Sequence, residues 1–364
     1  MIMFSLASVV SPGARTSTSR RPTTRASLPS AAYGMAKAQG LRETMEDDGS
    51  VVTSLAAGYD YVGVFDGHGG DPVAHWLASH LHLRLVQILE NQAARGMTES
   101  SCPITDSQVA AKDRAMMFSP TPLRSEIHAA FQQIDAEIIR HLQKTCDAET
   151  AKEAGATATI LLARDDRLVV ANVGDSRCVV SRGGRAVQLS VEHRLYGSGP
   201  EVRAEVARVE SVGGWVDDGR LCGILGVARS FGDWEWKGPG LEYLRDAGVE
   251  WGSWDEETAK NMVWTSDPVV AEPAVTQLNR EAQDEFVVLA SDGLWDVYSS
   301  LQVVQQVRKG LMDGGTSQEA AEALLAGALK KGTEDNVTVA VVDLLGEKGW
   351  TELRGAKKKV FGLF

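Results

Sequence analysis

The chain has 364 residues, 43% of them hydrophobic, which is enough to bury a sizeable core in one large domain or two ordinary ones. Its formal charge of −12 argues against a nucleic-acid partner, because phosphate backbones are bound by basic surfaces. No run of 18 or more apolar residues occurs, so no transmembrane segment is expected, and the four well-separated cysteines are typical of reduced thiols rather than of a zinc site or a disulfide scaffold.

The amino-terminal segment differs in composition from the rest of the chain. Residues 1–42 contain no aspartate or glutamate, and residues 1–34 hold four arginines among many serines and threonines. An Arg-rich, Ser-rich and acid-poor composition is typical of an organelle transit peptide, although a merely disordered tail could share it. The sequence therefore predicts a disordered transit peptide over residues 1–34.

The first regular elements predicted after this segment are a strand and two helices. The short β-rich run at 61–65 is typical of a buried strand. Residues 72–90 and 124–144 place apolar side chains at helical spacing, and Asp71 suits the N-cap of the first helix. The polar, breaker-rich stretch near 92–123 indicates a surface insertion.

The second half of the chain changes from helical to strand periodicity. Strands are predicted at 157–163, 167–173, 178–182, 286–291 and 336–344, with a hairpin at Gly183–Gly184 and helices at 301–311 and 317–330. The short turns require antiparallel pairing, because a parallel crossover needs a dozen or more residues. The strands are apolar on both faces, so each sheet should be covered on both sides. These features predict an α+β fold, a four-layer αββα sandwich of two antiparallel sheets flanked by helices.

Acidic residues recur where these apolar runs begin or end. They are Asp66, Asp175, Asp292, Asp296 and Asp335, with Glu46 and Asp47 in the stretch TMEDD. Any one of them could be a turn-capping residue, since Asp-Gly turns are common. Together they are better explained by cations, because converging carboxylates are costly to bury unpaired and all-oxygen sites suit Mg²⁺ or Mn²⁺.

Eight motifs in one order carry a family resemblance: RETMED, VFDGHGG, GATATI, NVGDSR, GGWV, GVARSFGD, ASDGLWDV and GTEDNVTV. Their order resembles that of the metal-dependent protein serine/threonine phosphatases of type 2C, over roughly residues 34–345. The resemblance implies a phosphatase domain at 35–345, with insertions near 92–123 and 236–266, followed by a basic tail at 346–364. The family fold, two antiparallel sheets flanked by helices, agrees with the fold predicted above.

Matched position by position, the resemblance implies a site for two Mg²⁺ or Mn²⁺ ions. Asp66 resembles the aspartate that bridges both ions, and Gly67 would offer its carbonyl oxygen to one of them. Asp292 and Asp335 resemble the other direct ligands, and Glu46 one that acts mostly through water. A hydroxide bridging the two ions would then hydrolyse phosphoserine or phosphothreonine in proteins.

The resemblance also implies a weaker third ion and two residues that act on the substrate. Asp175 and Asp296 match positions that hold the third ion together with Asp292. Arg42 matches the arginine that binds the substrate phosphate, for which a guanidinium fork is well suited. His68 matches the proposed general acid. With Asp66, these two complete the expected catalytic set.

Two segments depart from the common pattern of the family. Residues 192–195 read Glu-His-Arg-Leu in place of Asp-His-Lys-Pro, which leaves the local loop path open. The segment 234–264 contains five tryptophans and either packs a small core of its own or forms a substrate-docking surface. The stretch AKKKVFGLF, at the carboxyl end, is either a frayed basic tail or a contact with an anionic membrane.

The stretch 192–216 and the long insertion are similar to a plant and algal branch of the family. That branch acts in chloroplasts on phosphorylated light-harvesting antenna proteins, in the process called state transitions. The resemblance implies a monomer in the stroma, peripheral to the thylakoid membrane, with antenna proteins as substrates. Two alternatives remain open: a catalytically inactive member that only binds phosphoproteins, and a phosphoesterase for small molecules.

Overall fold

The computed structural model describes residues 33–95 and 121–361, and within them two five-stranded antiparallel sheets form the centre of the fold. Strands of the first sheet are β1 (Tyr33–Ala38), β8 (Arg177–Arg182), β9 (Arg185–Gln188), β14 (Asp284–Ala290) and β15 (Val337–Asp343). Strands of the second are β2 (Asp48–Ala56), β3 (Tyr59–Phe65), β6 (Ala158–Ala163), β7 (Arg167–Val173) and β13 (Ala274–Asn279). The first sheet has the order β1-β15-β14-β8-β9 and the second β13-β7-β6-β3-β2.

Smaller strands and helices complete the described fold. The short strands are β4 (Gly67–His68), β5 (Gly155–Ala156), β10 (Val216–Asp217), β11 (Arg220–Leu221) and β12 (Phe231–Gly232). The helices of the first half are α1 (Pro72–Ala94), α2 (Pro122–Thr145), α3 (Thr150–Glu153) and α4 (Pro200–Ser211). Those of the second half are α5 (Gly240–Glu250), α6 (Glu256–Asn261), α7 (Asp292–Trp295), α8 (Ser300–Met312), α9 (Ser317–Lys330) and α10 (Gly346–Phe361).

Side chains alternate along each central strand, so the apolar residues of one strand face two different core layers. In β14, Phe286 and Val288 face the helices α8 and α9, whereas Val287 and Leu289 face the other sheet. This is the period of two that a strand buried on both faces requires. The helices α1 and α2 cover the outer face of the second sheet. The predicted α+β, four-layer αββα sandwich is therefore confirmed.

Sequence periodicity located the long elements well, but one cap was wrong. The helix predicted at 72–90 begins at Pro72, and Asp71 precedes it in right-handed helical conformation without any side-chain capping bond. The hydroxyl of Thr121 does accept from the Arg124 amide at the start of α2, at 3.2 Å. Whether a side chain caps the start of a helix thus depends on the backbone conformation of the residue as well as on its type.

Regular structure lies on both sides of each predicted limit of the phosphatase domain, residues 35 and 345. Tyr33 and Gly34, placed in the predicted segment 1–34, belong to β1, and the Tyr33 hydroxyl donates to Asp60 at 2.6 Å. The remainder of that segment and most of the insertion near 92–123 lie outside the described residues. Beyond residue 345 the chain continues as α10, so the part assigned to a basic tail begins with a helix.

The beginning of α10 is part of the packed structure, and this gives a stability prediction. Trp350 is 3% exposed, its ring centroid lies 6.3 Å from that of Phe286, and its Nε1 donates to Asp343 Oδ1 at 2.9 Å. We expect Trp350→Ala to lower the free energy of unfolding by about 3–5 kcal/mol, measured by urea denaturation. The control, Trp251→Ala, removes an indole that is 45% exposed and should change it by about 0.5 kcal/mol or less. A loss for Trp350→Ala no larger than about 0.5 kcal/mol would show that the packing of α10 does not stabilise the domain.

The tryptophan-rich segment packs partly as a small core of its own. Trp236 and Trp254 are buried in a separate apolar cluster with Leu244 and Val209. Trp254 Nε1 donates to the Arg245 carbonyl at 3.0 Å. Because both indoles are enclosed, they serve packing and are not available to a partner. The exposed Trp251 lies on the surface of the same segment.

Candidate active site

Three predicted acidic residues converge at one edge of the two sheets. Asp66 follows β3, Asp175 follows β7, and Asp292 follows β14, so both sheets contribute. One carboxylate oxygen of each lies within 4.8 Å of one oxygen of the other two. Both β3 and β7 run antiparallel to β6, which places their carboxyl ends at the same edge. The convergence therefore follows from strand direction.

Burial and mutual repulsion disfavour the ionised form of this cluster. The pKa of Asp66 is raised well above its ordinary value by burial first, and then by the charges of Asp292, Asp47 and Asp175. The pKa of Asp292 is raised in the same way, by burial and then by Asp175. The ionised form of these carboxylates becomes favourable at neutral pH when cations lie between them.

The buried carboxylate of Asp47 adds to the same acidic site, although its role was not assigned from the sequence. Asp47 is 4% exposed, its Oδ2 accepts from the Ser291 hydroxyl at 2.8 Å, and its Oδ1 has no hydrogen-bond partner within the described residues. Burial raises the pKa of Asp47 to about 6. An orphaned buried oxygen beside all-oxygen donors fits a hard divalent cation or its bound water.

Glu46 and Gly67, two of the predicted ligands, lie together beside Asp66. A Cβ atom on Gly67 would overlap the Glu46 carbonyl, so only glycine permits this approach of the two backbones. The Glu46 amide donates to Asn336 Oδ1 at 2.7 Å, and Asn336 Nδ2 donates to the carbonyls of Gln39 and Thr44. Asn336 therefore fixes the loop that carries Arg42 and Glu46.

Arg42 and Asp335 lie in contact at the solvent side of the site. Arg42 Nη2 donates to Asp335 Oδ2 at 2.7 Å, and the arginine side chain is 61% exposed. The pKa of Arg42 is raised by this hydrogen bond and by the charge of Asp335, so the guanidinium remains charged. An exposed cation at the rim of the acidic cluster is suitably placed for an incoming phosphate.

Asp296 lies farther out and faces a cation that departs from the family pattern. It is exposed, and Arg194 Nη2 lies 3.5 Å from its Oδ1. Arg194 Nε is also 2.9 Å from Glu192 Oε2, and Arg177 Nε donates to Glu192 Oε1 at 2.6 Å. Glu192 and Arg194, which depart from the family pattern, thus form an ion-paired rim with Arg177, and Asp296 lies in this rim.

His68 has a buried partner that sequence reasoning did not identify. Its Nε2 lies 2.8 and 3.0 Å from the two carboxylate oxygens of Asp233, which is 1% exposed. The Ser230 hydroxyl also donates to Asp233. A Cβ atom on Gly155 would overlap both His68 Nε2 and Asp233 Oδ2, so the contact requires glycine there. The motif GVARSFGD ends at Asp233, but nothing local indicates a partner 165 residues away.

The loop that carries Asp233 has an uncommon backbone conformation, which contacts other than the one with His68 stabilise. Asp233 has φ +48°, a left-handed value that is uncommon for non-glycine residues, although aspartate adopts it more readily than most. Its amide donates to the Ala154 carbonyl at 2.9 Å. Lys237 Nζ donates to Asp135 of α2 at 2.8 Å and to the Ser230 carbonyl at 3.0 Å. These contacts preset the carboxylate that faces His68.

Comparison with known proteins gives consistent matches across this fold. A family model described as protein phosphatase 2C matches residues 31–337. The chain is 33% identical over 328 residues to "Protein phosphatase 2C 57" of Arabidopsis thaliana, covering 90% of this chain and 78% of that protein. It is 32% identical over 313 residues to "Probable protein phosphatase 2C 54" of Oryza sativa subsp. japonica, covering 83% and 70%. In fold it is similar to a serine-threonine phosphatase 2C from Toxoplasma gondii, with TM-score 0.60 and 19% identity over 85% of this chain and 94% of that one.

Proposed function

Since the chain belongs to the protein phosphatase 2C family, we propose that the acidic cluster around Asp66 is the metal-dependent site at which it hydrolyses phosphoserine and phosphothreonine in proteins. The chain is a protein serine/threonine phosphatase, and its substrates are phosphoproteins. The observation that supports the site most directly is the convergence of Asp66, Asp175 and Asp292 within 4.8 Å, with the orphaned carboxylate of Asp47 beside them. These carboxylates are buried (Asp47 and Asp175) or half-buried (Asp66 and Asp292), so ionising them together is costly without cations between them.

Asp66, Gly67, Asp292, Asp335 and Glu46 would hold two Mg²⁺ or Mn²⁺ ions, and the donors are all oxygen atoms, as these ions prefer. Asp175 and Asp296, together with Asp292, are the residues for a weaker third ion. When bound, the ions supply an acidified water as the nucleophile for attack on phosphorus.

The remaining residues act on the substrate itself. Arg42, exposed at the rim, would exchange its contact with Asp335 for the phosphate oxygens of the substrate and orient the phosphorus. His68 would donate a proton to the seryl or threonyl oxygen that leaves, a contribution of roughly 10²–10⁴-fold. Asp233 stabilises the protonated ring and restricts its rotation.

The activity is tested with the purified full chain and a phosphothreonine peptide. We expect phosphate release with Mn²⁺ or Mg²⁺ and none in EDTA, and a slower reaction with sugar phosphates. Calorimetric titration with Mn²⁺ should show uptake of at least two ions. A chain that binds ions but prefers sugar phosphates would be a small-molecule phosphoesterase, and a chain that binds no ions would be an inactive phosphoprotein-binding member.

For the physiological setting we propose the chloroplast, with phosphorylated light-harvesting antenna proteins at the thylakoid surface as substrates and state transitions as the process. The acid-free, Arg-rich composition of residues 1–34 supports import into an organelle. In the described residues no helix has the length and apolar character needed to cross a bilayer. A fusion of residues 1–50 to a fluorescent reporter tests import, and adding the enzyme to phosphorylated thylakoids tests the substrate. A phosphorylated antenna band that persists would exclude the substrate and leave the phosphatase activity intact.

A further inference from the structure

A surface groove in the tryptophan-rich region is not used by the reaction described above. It has a volume of about 580 Å³ and lies between the segment that precedes β10 and the helix α6. Trp215, Met262 and Val263 give it apolar lining, and Asp255 and Glu257 stand at the same groove. Val263 is 69% exposed, so its side chain is accessible to a ligand that enters the groove.

The two acidic residues of the groove carry charges that no neighbouring cation compensates. Asp255 accepts from the Thr258 amide at 2.7 Å, which caps α6, and no lysine, arginine or histidine of the described residues pairs with Asp255 or Glu257. Glu256, between them in sequence, does pair, with Lys260 at 3.3 Å. The wider region 213–267 holds eleven aspartates and glutamates against five lysines and arginines. The local field therefore favours a cation.

A continuous line of contacts joins this groove to the acidic active site. Arg194 lies against Asp296 at the rim, and its guanidinium carbon is 5.0 Å from the centre of the Tyr196 ring. Tyr196 in turn lies against Gly219, in the turn between β10 and β11. Trp215 directly precedes β10, and its carbonyl accepts from the amide of Cys222, which directly follows β11, at 2.8 Å. The hairpin of β10 and β11 therefore connects the groove to the rim of the acidic site.

We propose that this groove binds a lysine or arginine side chain of the phosphoprotein substrate, several residues from the phosphorylated serine or threonine. The inference rests on the proposed function and specifies which substrates the site prefers. The aliphatic stem would lie on Met262 and Val263, and the charged head would meet the indole face of Trp215 and the carboxylate of Glu257. Charge complementarity at a solvent-exposed groove of this kind selects among substrates.

Glu256 and Glu257 provide a matched pair of variants, because both are exposed on α6 and only Glu257 lines the groove. The substrates are phosphothreonine peptides with one lysine placed at successive positions on either side, and the same peptides with alanine or glutamate instead. We expect a lysine at the right distance to lower KM for the unmodified enzyme. Glu257→Lys should raise KM for that peptide about fivefold without changing kcat, and should favour the glutamate peptide. Glu256→Lys should change neither.

The proposal is overturned if lysine and alanine peptides have equal KM at every position, or if both variants raise KM equally. It is overturned too if Glu257→Lys raises KM of the alanine peptide as much, because the groove would then bind an apolar segment. Failure of the proposed function is distinct, since no peptide would release phosphate with Mn²⁺. In that case, calorimetry would still compare the affinity of the lysine peptide for Glu256→Lys with its affinity for Glu257→Lys.

Discussion

Replacement of Asp66 by asparagine should lower phosphopeptide hydrolysis by about 10³-fold or more and, in EDTA, raise the melting temperature. The loss of activity follows because the carboxylate lies at the centre of the cluster, and metal ions contribute several kcal/mol to such reactions, with each 1.36 kcal/mol equal to a factor of ten. The gain in stability follows from the raised pKa of Asp66. A carboxyl with a raised folded-state pKa contributes stability at low pH that is lost as the pH rises through that pKa.

Without cations, and at a pH above the ordinary pKa of aspartate, the Asp66 carboxyl therefore lowers the stability of the folded chain, a cost that the amide of the variant lacks. We expect the melting temperature of the variant in EDTA to be higher by about 2–4 °C, because about 1 kcal/mol of added stability produces a shift of this size in a large domain. Added Mn²⁺ should stabilise the unmodified protein more than the variant. Differential scanning calorimetry and phosphate release measure the two effects.

The control variant is Asp284→Asn, at the opposite end of β14 from Asp292. Asp284 is also buried, but it accepts from Arg182 Nε at 2.7 Å, so its loss should lower the melting temperature. Catalysis should be nearly unchanged once the protein is folded. If Asp66→Asn also destabilised the protein in EDTA, repulsion within the cluster would not be the dominant electrostatic effect.

The second large effect is expected from Asp233→Asn, which should slow hydrolysis of a phosphothreonine peptide by about 10²-fold. Burial lowers the pKa of His68, but the Asp233 carboxylate raises it, with smaller contributions from Asp175 and Glu46, and the net pKa lies above the ordinary value of histidine. Without that carboxylate the ring loses its proton at lower pH. The activity should then decline on the alkaline side from a lower pH than in the unmodified enzyme.

Two measurements separate this role from simple destabilisation. Hydrolysis of p-nitrophenyl phosphate should fall much less, because nitrophenolate leaves without needing a proton. In the background of His68→Ala, the change Asp233→Asn should have little further effect, since residues that act through one another are not additive. Additive losses, or equal losses with both substrates, would contradict the assignment.

The sequence predicted the sheets and the acidic residues because both leave local patterns. Runs such as FVVLAS are apolar without interruption, and an aspartate directly after such a run is visible without any structure. Strands β1 and β2 escaped prediction, because their side chains are mostly half-exposed and Tyr33–Ala38 owes its conformation to pairing with β15. Tertiary pairing of this kind has no signal within the strand itself.

Partners distant in sequence were beyond prediction for a related reason. Asp233 is held by Ser230, Ala154 and the pair of Asp135 with Lys237, and none of these contacts follows from spacing in the chain. The orphaned oxygen of Asp47 is likewise a property of burial, which becomes visible only when the two sheets meet.

The pairing of β1 with β15 has a consequence for when the enzyme can fold during its synthesis. Arg42 is made among the first residues of the domain, yet its contact Asp335 follows 293 positions later, and Asn336 then fixes the loop between Gln39 and Glu46. A growing chain therefore cannot order the loop that carries Arg42 until β15 and the two residues before it have been synthesised. Any fragment that stops before Asp335 lacks both this strand and the residues that hold the loop. We therefore expect activity only from chains that extend through β15.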